Sequence, residues 1–295
     1  MAGKISASEF APAKINLALH VIGQNADGYH ELETLVVFAD VGDRLSIVGN
    51  DAAGDAFSVT GHFAAQVPAG GGNLVFAALR AMRQLADMPP LAIALEKNLP
   101  VASGMGGGSA DAAAAIRALT RLSGLSPDNP AILDSARQLG ADVPMCMASR
   151  PAIARGRGER LSFIDNMPPL HAVLVNPGTS VSTPDVFRAL QRRDNAPLPP
   201  MPDLADSAAL LSWLAGTRND LEGPARRIAP KIGDVIGALR GLDGCFLARM
   251  TGSGATCFGL FADVDSAASA VERILSARPG WWCRPALLSG LSERG

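Results

Sequence analysis

The sequence predicts a two-domain α+β protein, and three observations carry that expectation. Extended and helical runs are mixed through the first half, with no obvious βαβ unit ahead of its main glycine loop. That loop, SGMGGGSA at 103–110, runs straight into an alanine-rich stretch, and alanine has the highest helix propensity. The apolar run HAVLVNPG then starts what reads as a second unit, so the expected domains are 1–155 and 156–295. At 295 residues the chain has room for two ordinary domains, each with a core of its own.

The elements follow in order. FAPAKINLALHVIG alternates around Ile15, Leu17, Leu19 and Val21, as a strand with one buried face does. QNADGYH supplies Asp-Gly turn chemistry before the extended run LETLVVFAD, and RLSIV and AFSVT read as further short strands. NLVFAALRAMRQLA has helical spacing with Asn73 as N-cap, and LAIALE is a strand leading into the glycine loop. ADAAAAIRALTRL is a helix, and a second one, about 127–139, stops at Gly140 ahead of a short constrained loop, Ala141-Asp142-Val143-Pro144. In the second unit, VSTPDVF starts a helix with Ser182 or Thr183 as cap and Pro184 in the first turn. APLPPMPDL is a proline-rich surface loop. CFLARMTGSGATCFGLF gives two strands around a Gly-Ser-Gly turn, followed by a helix at DSAASAVERIL and a last strand at WWCRPALL.

Composition narrows the class. Apolar residues make up 48% and charged residues 18%, which is globular rather than disordered. A formal net charge of −2 weighs against nucleic acid or an anionic membrane as the main partner. The four cysteines, Cys146, Cys245, Cys257 and Cys283, have no CxxC spacing and no histidine company, so a zinc site or disulfide framework is not expected. No apolar run approaches the roughly 18 to 20 residues that span a bilayer, and the N-terminus lacks the apolar core of a signal peptide. The expectation is a soluble, cytoplasmic protein.

Four glycines fall within 104–108, where the backbone entropy cost is large. A strand, then glycines, then a helix start points N–H groups at an anion, and the helix dipole adds roughly half a positive charge there. Ser109 can both cap that helix and hydrogen-bond a phosphate oxygen. A Walker A loop is excluded because no lysine follows Gly108, and a Rossmann fingerprint would want a glycine where Ser109 stands. A protein-kinase glycine loop lies between two strands, whereas this one opens a helix. Another kind of nucleotide-phosphate loop is left.

Phosphoryl transfer also needs a group to position the acceptor, and positive charge with Mg²⁺ on the transferred phosphoryl. Asp142, in its short loop, is a candidate; by itself it is equally a solvated turn residue. Lys14, in an apolar strand, is another; by itself it is equally an edge-strand lysine. The only tyrosine, Tyr29, adjoins His30 in a turn, a pairing that suits stacking on and reading a base, or a turn tyrosine with its hydroxyl in water. Arg155, Arg157 and Arg160 form a basic run that fits either a phosphate contact or a solvated face.

Taken together and in this order, PAKINLALHVIGQNADGYHEL, LPVASGMGGGSADAAAA, GADVP and MTGSGATCFGLF resemble the GHMP kinases. The middle and last motifs are shared across that family, whereas Lys-Ile-Asn followed by Asp-Gly-Tyr-His-Glu is specific to one branch of it. The resemblance runs from about residue 11 to 158 and returns at NPGTSVSTPDVF, NDLE and the turn at 252–254. It implies a ribosomal-S5-domain-2-like N-terminal domain and a ferredoxin-like C-terminal domain, with the active site in the cleft between them. It also implies ATP and Mg²⁺, and as substrate a small molecule, a cytidine diphosphate-linked methylerythritol. Monomer and homodimer are both left open.

By position, the resemblance assigns Pro100, Val101, Ala102, Ser103, Gly104, Met105, Gly106, Gly107, Gly108, Ser109 and Ala110 to the ATP phosphates, and Asn73 and Lys97 to the adenosine side. Asp142 is the implied base, with Lys14 beside it. Tyr29 and Phe187 are implied to sandwich cytosine while His30 bonds its edge. Asn16 and Thr183 assist at the ribose, diphosphate or erythritol end, and Gly252 and Ser253 close the second glycine turn. Ala102 stands where glycine is frequent in the family, so a negative φ is expected there, leaving Gly104 and Gly106–Gly108 to supply the unusual angles. Met105 replaces a usual leucine at little expected cost. Asp111 occupies a position where asparagine is also common, and its charge is expected to face away from phosphate. Other GHMP kinases acting on homoserine or mevalonate, a nucleotide-binding relative without phosphotransfer, and a dinucleotide oxidoreductase are the competing readings.

Overall fold

The computed structural model describes residues 6–68 and 72–289, which form two compact units interleaved in sequence. One is built from the chain up to Ala13, Gly42–Val101 and Gly106–Ala148; the other from Lys14–Val41, Ala102–Met105 and Ser149 onward. Two long strands serve both: β1 (Ser6–Gln24) and β2 (His30–Gly49). The two separate strands expected at LETLVVFAD and RLSIV are one, since the intervening Val41-Gly42-Asp43 stays extended. Glycine is needed there: a Cβ on Gly42 would sit 2.3 Å from the Ala11 carbonyl oxygen of β1.

In the first unit, β3 (Ala56–Thr60) runs parallel to β4 (Leu91–Glu96), which lies antiparallel to β2 with Arg44 opposite Glu96 and Gly49 opposite Leu91. Helix α1 (Leu74–Arg83) is N-capped by Asn73 as expected, its side chain accepting from the Val75 N–H. Its buried face, Val75, Ala78, Leu79 and Met82, packs on α2 (Gly107–Ser123), whose Ala112–Ala115 run is wholly buried. Small side chains let the two helix backbones approach closely. α3 (Pro130–Leu139) starts three residues later than expected, at an Asn129 cap, and ends at Gly140. The loop expected at 141–144 is half helix. α4 (Val143–Ala148) begins immediately after Asp142, with Pro144 in its first turn, where a missing N–H costs nothing.

The second unit holds β5 (Ala152–Gly156), β6 (Arg160–Phe163), β7 (Leu170–Asn176), α5 (Thr183–Arg188), α6 (Ser207–Ala215), α7 (Glu222–Ile228), α8 (Lys231–Arg240), β8 (Leu247–Met250), β9 (Cys257–Phe261), α9 (Val264–Ala277) and β10 (Trp282–Ser289). β5 and β6 form a hairpin on β2, with Leu32 opposite Gly156. From β7 onward, leaving out the short helices, the chain runs β-α-β-β-α-β with strand order β10-β7-β9-β8, all antiparallel. That is the ferredoxin-like arrangement the family resemblance implies. Its core gathers Val173, Val175, Ile232, Val235, Leu239, Met250, Phe261 and Ile274.

The part of β1 in this unit departs from the one-sided strand its alternation suggests, because Lys14 to Val21 are all buried. The polar positions have partners that make this possible. Asn16 Nδ2 donates to Thr34 Oγ1 at 2.7 Å, and His20 Nδ1 lies 3.0 Å from the Ala196 carbonyl. Buried Arg249 does the same for the C-terminal end of α6. Its Nη2 donates to the carbonyls of Leu214 (2.9 Å) and Thr217 (2.6 Å), and Nη1 to the Leu17 carbonyl (2.7 Å) and Thr217 Oγ1 (3.0 Å). Burial pulls this guanidinium down to about 10, so it still carries its charge at neutral pH. Among the described residues, no helix is long and apolar enough to cross a membrane. Arg249→Ala should strand those acceptors and cost about 3 kcal/mol or more. The check is a urea midpoint that falls with an unchanged slope, and a midpoint at the wild-type value would refute it.

Candidate active site

The glycine loop bends at three places. Ala102 has φ 52°, Gly104 φ 79° and Gly106 φ 65°, whereas Gly107 and Gly108 are helical. The expectation for Ala102 therefore fails: the turn after Pro100 needs a left-handed residue at 102, and alanine adopts it although this costs about 1 to 2 kcal/mol. Ser109 is the third residue of α2 and not its cap; Gly106 holds the cap position, without a side-chain bond. The first N–H groups of α2 are thus left to an external acceptor, as an anion site requires.

Gly104 is where the loop meets the second glycine motif. A Cβ on Gly104 would lie 2.6 Å from the Thr251 oxygen and 2.8 Å from the Gly254 nitrogen. One on Gly252 (φ 54°) would lie 2.5 Å from the Gly104 oxygen. The contact is backbone on backbone from both sides. It is reinforced by the Thr256 N–H donating to the Ser103 carbonyl at 3.1 Å, and by the Lys14 N–H donating to the Met105 carbonyl at 2.9 Å. Around it, the Asn16 N–H donates to Thr251 Oγ1 at 2.8 Å, the Thr183 and Ser253 hydroxyls lie 2.7 Å apart, and Asn219 Nδ2 donates to the Gly252 carbonyl at 2.9 Å. The second unit thus brings Lys14, Asn16, Ser103, Gly104, Met105, Thr183, Gly252 and Ser253 to one place. Asn16 Oδ1 is buried there without a partner. Thr251 and Asn219 were missed from the sequence; the Asn-Asp-Leu-Glu run at 219–222 was the available signal for the latter.

The first unit holds the remainder of the loop over a buried ion triad. Lys97 Nζ donates to Asp43 Oδ2 at 2.5 Å and to Asp111 Oδ2 at 2.6 Å, and all three side chains are almost fully enclosed. Asp43 Oδ1 also accepts from the N–H groups of Asn98 (2.6 Å) and Leu99 (2.8 Å), which fixes the exit of β4. A Cβ on Gly107 would come within 3.2 Å of Lys97 Nζ, so the ammonium lies directly under the helix start. Burial alone would depress the Lys97 ammonium, but the two carboxylates outweigh it and its pKa is raised. Burial and the second carboxylate of Asp43, against the pull of Lys97, push Asp111 up to about 7. Asp111 turns to Lys97 and is enclosed with it. Pro100 and Ala110 are buried, Val101 and Ser109 half-buried, and Asp142, just before α4, is half-buried.

At the other sequence-identified cluster, Tyr29 is 57% exposed on the β1–β2 turn. His30 stacks on Phe187, with ring centroids 4.8 Å apart and 28° between planes. Its Nε2 is buried without a partner, and burial, aided by Arg193, lowers its pKa, so the imidazole is neutral at pH 7. The three arginines are committed to carboxylates: Arg155 to Glu33 at 2.9 Å, Arg157 to Asp27, and Arg160 to Glu31.

A glycine loop that opens a helix, a second glycine turn packed on its Gly104 and a ferredoxin-like unit define a class of small-molecule kinases, and the chain belongs to the GHMP kinases. The description GHMP kinases N terminal domain matches residues 73–150, and GHMP kinases C terminal matches residues 188–279. Among its relatives, 4-diphosphocytidyl-2-C-methyl-D-erythritol kinase of Mesorhizobium japonicum is 50% identical over 92% of this chain and 92% of its own length. The protein of that name from Brucella melitensis is 50% identical over 95% and 94%. A crystal structure of 4-(cytidine 5'-diphospho)-2C-methyl-D-erythritol kinase superposes with TM-score 0.77 at 36% identity, covering 96% of this chain and 100% of that one. Homoserine kinase from Cytophaga hutchinsonii shares the fold (TM-score 0.70) at 19% identity, over 98% and 96%.

Two outcomes follow from the loop. Ala102→Gly should stabilise the protein by about 0.5 to 1 kcal/mol, because glycine takes positive φ without strain and this gain exceeds its entropy cost; a lower urea midpoint would refute it. Asp111→Asn should keep the fold, since an amide can accept from Lys97 and donate to Asp43. The Asp111 pKa of about 7 lies above the ordinary 3.8, so in between the folded state keeps a proton the unfolded chain has lost. Stability falls as pH rises through that window. Urea midpoints at about pH 5 and about pH 8 should therefore lie closer together in the variant. Equal separations in both proteins would count against the proton retained on Asp111.

Proposed function

We infer that this chain is an ATP-dependent kinase that phosphorylates the 2-hydroxyl of 4-diphosphocytidyl-2-C-methyl-D-erythritol, in the non-mevalonate route to isoprenoid precursors. The observation that carries the reading is half-identity, over more than nine-tenths of the chain, to relatives bearing that activity's name. The likeness to homoserine and mevalonate kinases, at 19% and 17% identity, is one of fold. The His30–Phe187 stack, with a neutral imidazole whose Nε2 lacks a partner, supports recognition of a base edge beside an aromatic face.

In this reading Pro100 to Ala110 hold the ATP phosphates. The open N–H groups of α2 and the Ser109 hydroxyl are the donors such oxygens require. Asn73 and Lys97 border the adenosine, Lys97 held from below by its two carboxylates. Asn16, Thr183, Gly252 and Ser253 serve the sugar and diphosphate, and Tyr29, His30 and Phe187 the cytosine. Asp142 accepts the proton of the substrate hydroxyl as its oxygen bonds to the γ-phosphorus and ADP departs, and Lys14 orients that hydroxyl. Bound with the nucleotide, Mg²⁺ would supply positive charge to the transferred group. Placement in the cytoplasm fits a consumer of free ATP.

The direct test is coupled ADP release with the cytidine substrate, against homoserine and mevalonate as alternatives. Turnover with either of those but not with the cytidine compound would sink the substrate assignment. Asp142→Asn should lower kcat at least roughly a hundredfold while ATP still binds. Near wild-type turnover in that variant would remove Asp142 from the mechanism.

A further inference from the structure

The turn between β5 and β6 carries an arginine for which phosphoryl transfer has no use. The Arg157 guanidinium lies 3.8 Å from the centroid of the Tyr29 ring and pairs with Asp27. Asp27 Oδ1 accepts from the Tyr29 N–H at 3.1 Å, so one carboxylate ties the cation to the backbone of the residue whose ring it covers. The arginine is held from its own side as well, its N–H donating to Glu159 Oε2 at 2.6 Å between Gly156 (φ 74°) and Gly158 (φ 113°). Arg155 and Arg160 pair with Glu33 and Glu31, and neither covers a ring among the described residues.

A half-exposed tyrosine on a turn loses rotamer freedom when a base stacks on it, and that loss subtracts from affinity. A ring already pinned has little to lose. A flat guanidinium occupies one ring face and leaves the other free, and its pairing with Asp27 removes most of its net charge from the vicinity. We propose that Arg157 is a positioning residue for the pyrimidine end of the substrate, covering one face of Tyr29 so that cytosine stacks on the other. The proposal rests on the cytidine substrate inferred above and adds a specificity element to it.

Tyr29 is the only tyrosine, so ring-labelled tyrosine gives one set of ring resonances by NMR. CDP itself is the probe. The resonance should move on titration with CDP, and Arg157→Ala should shift it in the free protein and weaken CDP binding about two- to fivefold. KM for the cytidine substrate should rise by the same factor, with kcat and KM for ATP unchanged. Arg157→Lys, which keeps a charge for Asp27 but lacks the flat face, should behave like the alanine variant. The proposal is overturned if Arg157→Ala binds CDP as well as wild type or better, the latter meaning that the guanidinium fills the place of the base. Full recovery in Arg157→Lys overturns it too. Wild-type turnover of the cytidine substrate with an unmoved tyrosine signal sinks this proposal alone, whereas absence of that turnover sinks the functional reading with it.

Discussion

The glycine loop depends on a contact in which no side chain takes part. Gly104 and Gly252 approach so closely that a Cβ on either would overlap the other's backbone oxygen or its neighbours. This gives a physical reason for placing flexible residues next to a strong helix former. The backbone of the loop must touch the backbone of a distant turn, and at contact distance only glycine fits. Once that contact forms, Lys14 is bonded through Met105, Asn16 through Thr251, and Thr183 through Ser253. Most of the polar groups assigned to substrate in this unit are therefore positioned by one backbone junction.

The other end of the loop is set by electrostatics. Two carboxylates around one ammonium leave an excess negative charge in an almost fully enclosed site, and such a set is tolerable only if part of the charge is removed. The upward shift of Asp111 does this by retaining a proton. Asp43 has a second task that Asp111 lacks, receiving two backbone N–H groups at the end of β4. The loop thus leaves its strand and enters its helix over the same lysine, which fixes both ends of a segment rich in residues that would otherwise wander.

Much of this was legible in the sequence, and the exceptions share physical causes. β1, α1, α2, β7, the β8–β9 pair, α9 and β10 stood out because apolar runs or periodicity bounded by turn residues marked each. The β5–β6 hairpin did not, because its two glycines and three arginines read as a basic run, and the strand that β5 joins in the sheet, β2, is far away in sequence. α7 and α8 carry glycine or proline inside short helices, which propensity alone discounts. Ala102 was misread for the converse reason: local preference argues against positive φ, and the turn overrides it. The residues of the glycine loop were identifiable from spacing alone, whereas Thr251 and Asp43, which pack or bond around it, had no local signature, since a hydrogen-bond partner is chosen by the fold and not by the neighbouring residue.

The two functional regions differ in the kind of group they use. Phosphates are alike across many ligands, and in the proposed function the loop meets them with main-chain donors at a helix start, which asks nothing of the alcohol to be phosphorylated. A base must be told from other bases, which requires side chains with defined planes and edges. Here those planes come already paired, His30 with Phe187 and Tyr29 with Arg157, each stack joining two separate segments of the chain. Pairing a ring in advance lowers the entropy cost of stacking but also occupies a face, so the arrangement trades open surface for definite orientation. A turn carrying a single exposed tyrosine gains from that trade, because what it lacks without a ligand is a fixed direction.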